Sequence, residues 1–415
     1  MNTQILMAST AVGGGTRILL ELANRLPQAR VLSFGPNPTW FELRAPFTQS
    51  PDFPQHLSGE RVLLSHLTLL PWVLARTRAP VAVLSQSYQP FLPGPSQPIY
   101  RELLELPFTA IATSRPVAQA LDQLGKPSVY LQLGFDRQNF HPGQPVRRRA
   151  FRLLWVGDDR LPCKDFATVV KAFRALDFAA ELVMVSRNPK PPKLDCAVEH
   201  HHNPPRQVLG SIIASCDALC FSSRYESLGL PPLEAMACGV PVICTRNGGV
   251  EEYGRDGHNL LLVEPGSPAE IVAALQRLRE QPQLGRRLSA NGRETVRRLP
   301  DLDTVAERLE TVLKGLPPRP AVETDDPSHL ARRLIAGGHF TPPQVERTAN
   351  RIERALRQQL EQGLEPTRLR ELRDEAAALA ARPGACQAVF QAHYDLCQVL
   401  LTFPDSRHRI RAKLA

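Results

Sequence analysis

Paired cysteines are missing from this chain. All of its eight cysteines lie at or after Cys163, and no two form a Cys-x-x-Cys pair. That excludes a disulfide framework and a zinc ribbon, and it reads as a reduced, intracellular chain. No apolar run reaches the roughly 20 residues of a membrane-spanning helix. The nearest, residues 62–75, is broken by His66 and Pro71 and reads as a buried strand and helix. There is no secretory leader pattern, because Met1–Met7 runs straight into a strand, so a cytoplasmic location is expected. Gly-x-Gly-x-x-Gly and the Lys-containing P-loop are both absent, which speaks against dinucleotide and ATPase chemistry. Three adjacent histidines, His200–His202, cannot all face one ion from regular structure, so they read as a loop and no metal is expected.

What remains is ordinary globular material. The 415 residues are 43% apolar and 22% charged, enough for two to four domains by length. Aromatics are only 6%, and the 39 prolines add turns without suggesting disorder. The formal net charge is +9. The surplus is spread out, with a short run at Arg147–Arg149 and seven Arg against two Glu over residues 271–298. Such a balance permits contact with phosphorylated substrates or, peripherally, with an anionic membrane face. No nucleic-acid-binding motif accompanies it, so no nucleic acid is expected as a partner.

Short β-branched strands alternate with helical patterns in two blocks. The spacing predicts strands at 5–9, 30–34, 62–65, 81–85, 109–113 and 129–133, then at 152–156, 180–185, 218–222, 240–244 and 260–263. Helices are predicted between them, among them 16–25, 117–124, 165–176, 206–214, 231–237 and 269–279, with another at 300–315. That alternation predicts α/β architecture with parallel sheets. A Pro- and Arg-rich bridge, His141–Arg149, joins the blocks. The division is therefore 1–145, 146–316 and a helical appendage, 317–415. In the appendage Val345, Ile352, Leu356 and Leu360 make one helical stripe, and Leu369, Leu372, Ala376 and Leu379 make another. A third runs over 389–401, and these faces suit oligomerisation or partner docking.

Four turns at strand ends carry candidate chemistry. Gly13, Gly14 and Gly15 stand between a strand and a helix, where backbone and helix dipole attract an anion. Lys164 precedes a helix after the first strand of the second block, with Arg160 placed to assist on a phosphate. Glu226 precedes Ser227, Leu228, Gly229 and Leu230, whose N–H groups suit a diphosphate, and Glu234 follows within the helix. One carboxylate can accept from sugar hydroxyls and the other from a ribose. Gly248 and Gly249 form a further turn, shaped to close over a ligand.

The stretch Glu226-Ser-Leu-Gly-Leu-Pro-Pro-Leu-Glu234-Ala-Met-Ala-Cys-Gly-Val-Pro-Val242 resembles the retaining glycosyltransferases of family 4, marked by two glutamates with seven residues between. Gly248-Gly249, Asp256–Val263, Gly13–Gly15, Gly134-Phe-Asp136 with Phe140 and Pro142, and Lys164 extend the likeness over about 1–315. The resemblance implies a GT-B fold, with two Rossmann-like domains facing a cleft: an acceptor side at 1–145 and a nucleotide-sugar donor side at 146–316. It implies that Glu226 contacts donor-sugar hydroxyls, the amides to Leu230 the β-phosphate, Glu234 the ribose, and Lys164 the departing diphosphate. It further implies no metal and no cofactor besides the nucleotide sugar, which is substrate, and a sugar, lipid-linked or protein acceptor. Two departures stand out. Asp158 occupies the place of the family's usual arginine, with Arg160 as its substitute, and Ser85–Tyr88 lacks the family's cleft histidine.

Overall fold

Parallel pairing buries both faces of a central strand, which is why the central strand runs are mostly apolar. The computed structural model describes residues 2–319 apart from 51–56, 88–96, 137, 144–149 and 197. Beyond them it describes residue 330, 351–352, 354–356, 358–359 and 365–380. The first sheet comprises β1 (Thr3–Met7), β2 (Ala29–Ser33), β3 (Phe47–Gln49), β4 (Arg61–Leu64), β5 (Val81–Ser85), β6 (Thr109–Ala112) and β7 (Ser128–Tyr130). Its order is β3-β2-β1-β4-β5-β6-β7, with every pairing parallel. Its helices are α1 (Gly14–Ala23), α2 (Leu70–Leu74), α3 (Gln97–Glu105) and α4 (Arg115–Gln123).

The second sheet comprises β8 (Phe151–Gly157), β9 (Ala180–Ser186), β10 (Val198–His202), β11 (Ala218–Phe221), β12 (Val242–Thr245) and β13 (Leu261–Val263). The order β10-β9-β8-β11-β12-β13 is again parallel throughout. Around it lie α5 (Phe166–Arg174), α6 (Arg206–Ala214), α7 (Leu230–Ala237), α8 (Pro268–Glu280) and α9 (Pro282–Arg298). In each sheet the strand order reverses beside the first strand, β1 with β4 and β8 with β11. Loops leaving the carboxyl ends of strands diverge at such a switch point and open a crevice for a ligand. The sequence therefore delivers the Gly13–Gly15 turn to one crevice, and the Lys164 and Glu226 turns to the other.

One segment folds differently from its sequence reading, and another was read only for its charge. The histidine run is strand rather than loop: His200, His201 and His202 pair with Met184, Val185 and Ser186 on the sheet edge. Buried Arg152 reaches under that edge, with its guanidinium 2.8 Å from carboxylates of both Glu181 and Glu199. Hydrogen bonding from Arg152 pulls the Glu199 carboxyl down to about 2. The arginine-rich stretch after residue 281 is α9, whose apolar side buries Leu284, Leu288 and Val296.

The chain then returns to the first unit. α10 (Leu302–Lys314) starts at Asp301, which accepts from the Thr304 N–H at 2.8 Å. Its Val305, Leu309 and Leu313 join the apolar cluster that contains Ile18, Leu19 and Leu22 of α1. Arg25 pairs with Asp303 at 2.8 Å. Although α10 falls within 146–316, its packing partner is thus the opposite unit. Arg319 continues the attachment by donating to the carbonyls of Leu74 (2.9 Å) and Thr77 (2.6 Å) at the end of α2. Farther along, Leu330 is buried in the first sheet's outer cluster. Ile352, Leu356, Leu369, Leu372 and Ala376 are also buried, the last three on a helix at Pro366–Ala380. Val345, Leu360, the Leu379 side chain and the 389–401 stripe lie outside the described residues. Among the described residues no helix is long and apolar enough to cross a membrane.

Candidate active site

A cleft of about 1120 Å³ separates the carboxyl ends of the two sheets. Gly13, Gly14, Gly15, Lys164, Glu226, Ser227, Leu228, Gly229, Leu230 and Glu234 all line it. On the first-unit wall α1 begins with two glycines at which a side chain would be a tight fit. A Cβ on Gly15 would stand 3.1 Å from the Gln86 amide oxygen, and one on Gly14 would stand 3.3 Å from Leu230 across the cleft.

The opposite wall is built from two stitched turns. After β8 the chain makes a 3₁₀ turn, Pro162–Lys164, and enters α5 through Asp165 in the left-handed region. After β11 it makes the Ser222–Gly229 loop. Ser222 donates to the Lys164 carbonyl at 2.7 Å, the Arg224 N–H donates to the Cys163 carbonyl at 2.7 Å, and Arg224 pairs with Asp165 at 2.9 Å. These bonds bring the Lys164 ammonium 2.5 Å from the Glu226 carboxylate, although 62 positions separate them in sequence. Both side chains are largely sheltered. Gly229 stands at φ +78°, open to glycine at little cost, and starts α7 without a side-chain cap. Pro231 and Pro232 have no N–H, so the donors at this helix start are those of Leu230 and the loop before it.

Glu234 lies in the floor of the cleft, 4% exposed. Burial raises its pKa, and Arg206 opposes the shift from 3.0 Å. Arg206 also reaches Asp136 at 3.3 Å and stacks on Phe140, its guanidinium carbon 4.4 Å from the ring centre. The crossover segment between the sheets is thereby fastened to the glutamate. Nothing in the sequence singled out Arg206 beyond its place at a helix start, because its partners lie 28 and 70 positions away. Arg17 was likewise missed. It lines the first-unit wall, with its guanidinium carbon 5.1 Å from the Trp40 ring and 5.5 Å from the Phe41 ring.

Three expected site residues stand elsewhere. Arg160 is not on the cleft lining; Asp158 holds it by two hydrogen bonds of 3.1 Å, and its side chain is 59% exposed. Arg160 in turn keeps the Asp158 carboxyl below its usual range. The acid at position 158 thus captures the arginine expected to replace the missing one. Gly248 and Gly249 also lie off the lining, behind the Ser227 loop. The Glu226 N–H donates to the Asn247 carbonyl at 2.9 Å. A Cβ on Gly249 would stand 2.7 Å from the Leu228 nitrogen and 2.8 Å from the Glu226 carbonyl. This turn supports the loop from the rear rather than closing over a ligand.

Two doubly wound parallel units opposed across a cleft, with a last helix returning to the first unit, constitute the GT-B fold. Residues 163–295 match the family model described as Glycosyl transferases group 1. An 88-residue stretch is 41% identical to an MMP alpha-(1->4)-mannosyltransferase of Mycolicibacterium hassiacum, covering 21% of each chain. A 111-residue stretch is 34% identical to a D-inositol 3-phosphate glycosyltransferase of Thermomonospora curvata, covering 27% of this chain and 26% of that one. The aligned segments thus span only about a fifth to a quarter of these curated relatives. The fold is similar to that of Anabaena Alr3699/HepE solved with UDP-glucose: TM-score 0.64, 16% identity, 76% of this chain and 100% of that one covered.

Proposed function

We propose that the protein is a retaining glycosyltransferase that moves a sugar from a nucleotide-sugar donor to an acceptor hydroxyl. The observation that carries this reading is the convergence of Lys164, Glu226 and the Ser227–Leu230 amides on one wall of the cleft, with Glu234 below them. Breaking a sugar–phosphate bond develops negative charge on the diphosphate and positive charge at the anomeric carbon. The amides and Lys164 stabilise the first, fixed in place before the reaction. Glu226 accepts from donor-sugar hydroxyls, and Glu234 accepts from the ribose while Arg206 holds it. The Lys164–Glu226 pair keeps both groups facing the same point, and an arriving diphosphate competes with Glu226 for the ammonium. The acceptor, whether a glycan, a lipid-linked sugar or a protein, enters along the Gly13–Gly15 and Arg17 wall. It approaches on the face the diphosphate leaves, so the chain needs no nucleophile of its own.

Thermal-shift titration with UDP-, GDP-, ADP- and dTDP-sugars tests donor binding, since a ligand bound to the folded state stabilises it by mass action. The anomeric configuration of the product, read by NMR, tests retention, and an inverted product refutes it. A second reading has a specific observation behind it: Asp158 neutralises Arg160, as a catalytically idle scaffold subunit could tolerate. A scaffold consumes no nucleotide sugar with any acceptor, whereas the transferase consumes one.

A further inference from the structure

Behind the Ser227 loop, the two units meet at a second set of contacts that the proposed donor site does not use. Glu252 ends the 3₁₀ turn Gly249–Glu252, the same turn on which the loop rests. Its side chain is only 3% exposed, and among the described residues its carboxylate meets partners from the first unit. The Arg115 N–H, in the first turn of α4, donates to it. The Arg115 guanidinium lies 3.6 Å away, and the Tyr130 hydroxyl of β7 donates at 2.7 Å. A carboxylate at the start of a helix also meets the positive end of the helix dipole. Glu252 therefore serves as a cap for α4, supplied from the other unit.

The neighbouring contact links the same helix start directly to the loop. Ser114 is the N-cap of α4, and its hydroxyl lies 3.2 Å from the Ser227 hydroxyl. The Thr113 hydroxyl lies 3.3 Å from Ser227 and already donates to the Ser85 carbonyl at 2.9 Å, so towards Ser227 it can only accept. Tyr253, next to Glu252, donates from its buried hydroxyl to the Gly229 carbonyl at 3.1 Å. The α4 start thus touches the loop through Ser227 and touches the loop's support through Glu252.

We propose that Glu252 is a positioning residue, which sets the Ser227–Leu230 amides by fixing the turn behind them to α4 of the opposite unit. Loop geometry then depends on the two units being closed on each other, and separating them releases the amides. This rests on the donor-site reading above, and one arm of its test does not depend on activity. Hydrogen exchange on the full chain compares wild type with Glu252→Ala, Glu252→Gln and Tyr130→Phe. In Glu252→Ala, exchange at 226–230 and 115–119 rises about tenfold or more while β8 and β9 stay unchanged. Glu252→Gln keeps one acceptor oxygen for the Arg115 N–H and turns its amide NH2 towards the Tyr130 hydroxyl, which can accept, and it retains wild-type protection at 115–119 within about threefold. Tyr130→Phe removes one bond at a partly exposed side chain and raises exchange at 226–230 by about threefold, so a misfolded alanine variant does not stop the test. Turnover in Glu252→Ala loses about tenfold or more in kcat, a larger change than in donor KM. Unchanged exchange at 226–230 in both Glu252→Ala and Tyr130→Phe overturns the proposal. If wild type consumes no nucleotide sugar, the transferase reading fails, and the exchange arm still decides the role of Glu252.

Discussion

Replacing Arg206 by alanine isolates the buried pair at the floor of the cleft. The Arg206 side chain is 13% exposed and that of Glu234 6%, with 3.0 Å between them. Removing one partner of such a pair strands the other charge away from water, at a loss of about 3–5 kcal/mol. Taking the lower figure, the melting temperature falls by about 6–12 °C at pH 7 for a unit of this size. The pH dependence fixes the cause. Glu234 is already raised by burial, and without Arg206 it rises further. A carboxyl with a raised folded-state pKa favours the folded chain when protonated and loses that contribution as pH climbs through the raised value. The deficit of Arg206→Ala therefore shrinks as pH falls from 7 towards about 5, nearer the ordinary glutamate range. Arg206→Ala combined with Glu234→Gln recovers most of the loss at pH 7. Asp136 does not spoil that comparison, because Asn139 donates to it at 3.0 Å and Gln138 N–H at 3.0 Å. Differential scanning fluorimetry of wild type and the two variants across pH makes the measurement. A deficit that is constant with pH, or a double variant no better than the single, refutes the reasoning.

Other substitutions separate the cleft from its surroundings. Arg160→Ala removes an exposed, solvent-screened pair and leaves donor turnover within about twofold, measured by steady-state kinetics. A drop of a hundredfold would place Arg160 on the phosphate after all. Gly249→Ala presses a methyl group into the backbone of the Ser227 loop, lowers stability by about 1–3 kcal/mol and weakens nucleotide binding, which denaturant titration and calorimetry measure. Unaltered binding would separate the turn from the loop it supports.

Local apolar patterning made most of the two sheets legible. β5 stands where its run of Val81–Ser85 predicts it, and α6 where Arg206–Ala214 predicts it. β10 was not legible because an edge strand pairs on one side only, and its half-exposed Glu199–His202 carries no apolar signal. Its hold comes from β9 and from Arg152 beneath, neither of which is local. The donor-side turns could be read from glutamate spacing and glycine placement, but their relative depth could not. Gly248 and Gly249 follow a strand end as the cleft turns do, yet the loop from β11 lies in front of them. Arg206 was invisible because the carboxylates that give it meaning arrive from α7 and from the crossover segment. The capture of Arg160 by Asp158 is local, two positions apart, and the acid was noticed without its consequence.

Donor turnover by the 415-residue chain tests the central claim most directly. The purified protein is offered each nucleotide sugar in turn, and release of nucleoside diphosphate is followed for wild type, Lys164→Ala and Glu226→Ala. At least one donor is consumed by wild type, and each variant loses about a hundredfold or more in kcat, as expected for removing a fixed stabilising contact at the reacting centre. Turnover that survives both substitutions, or no consumption of any donor by wild type, contradicts the assignment of this cleft to sugar transfer.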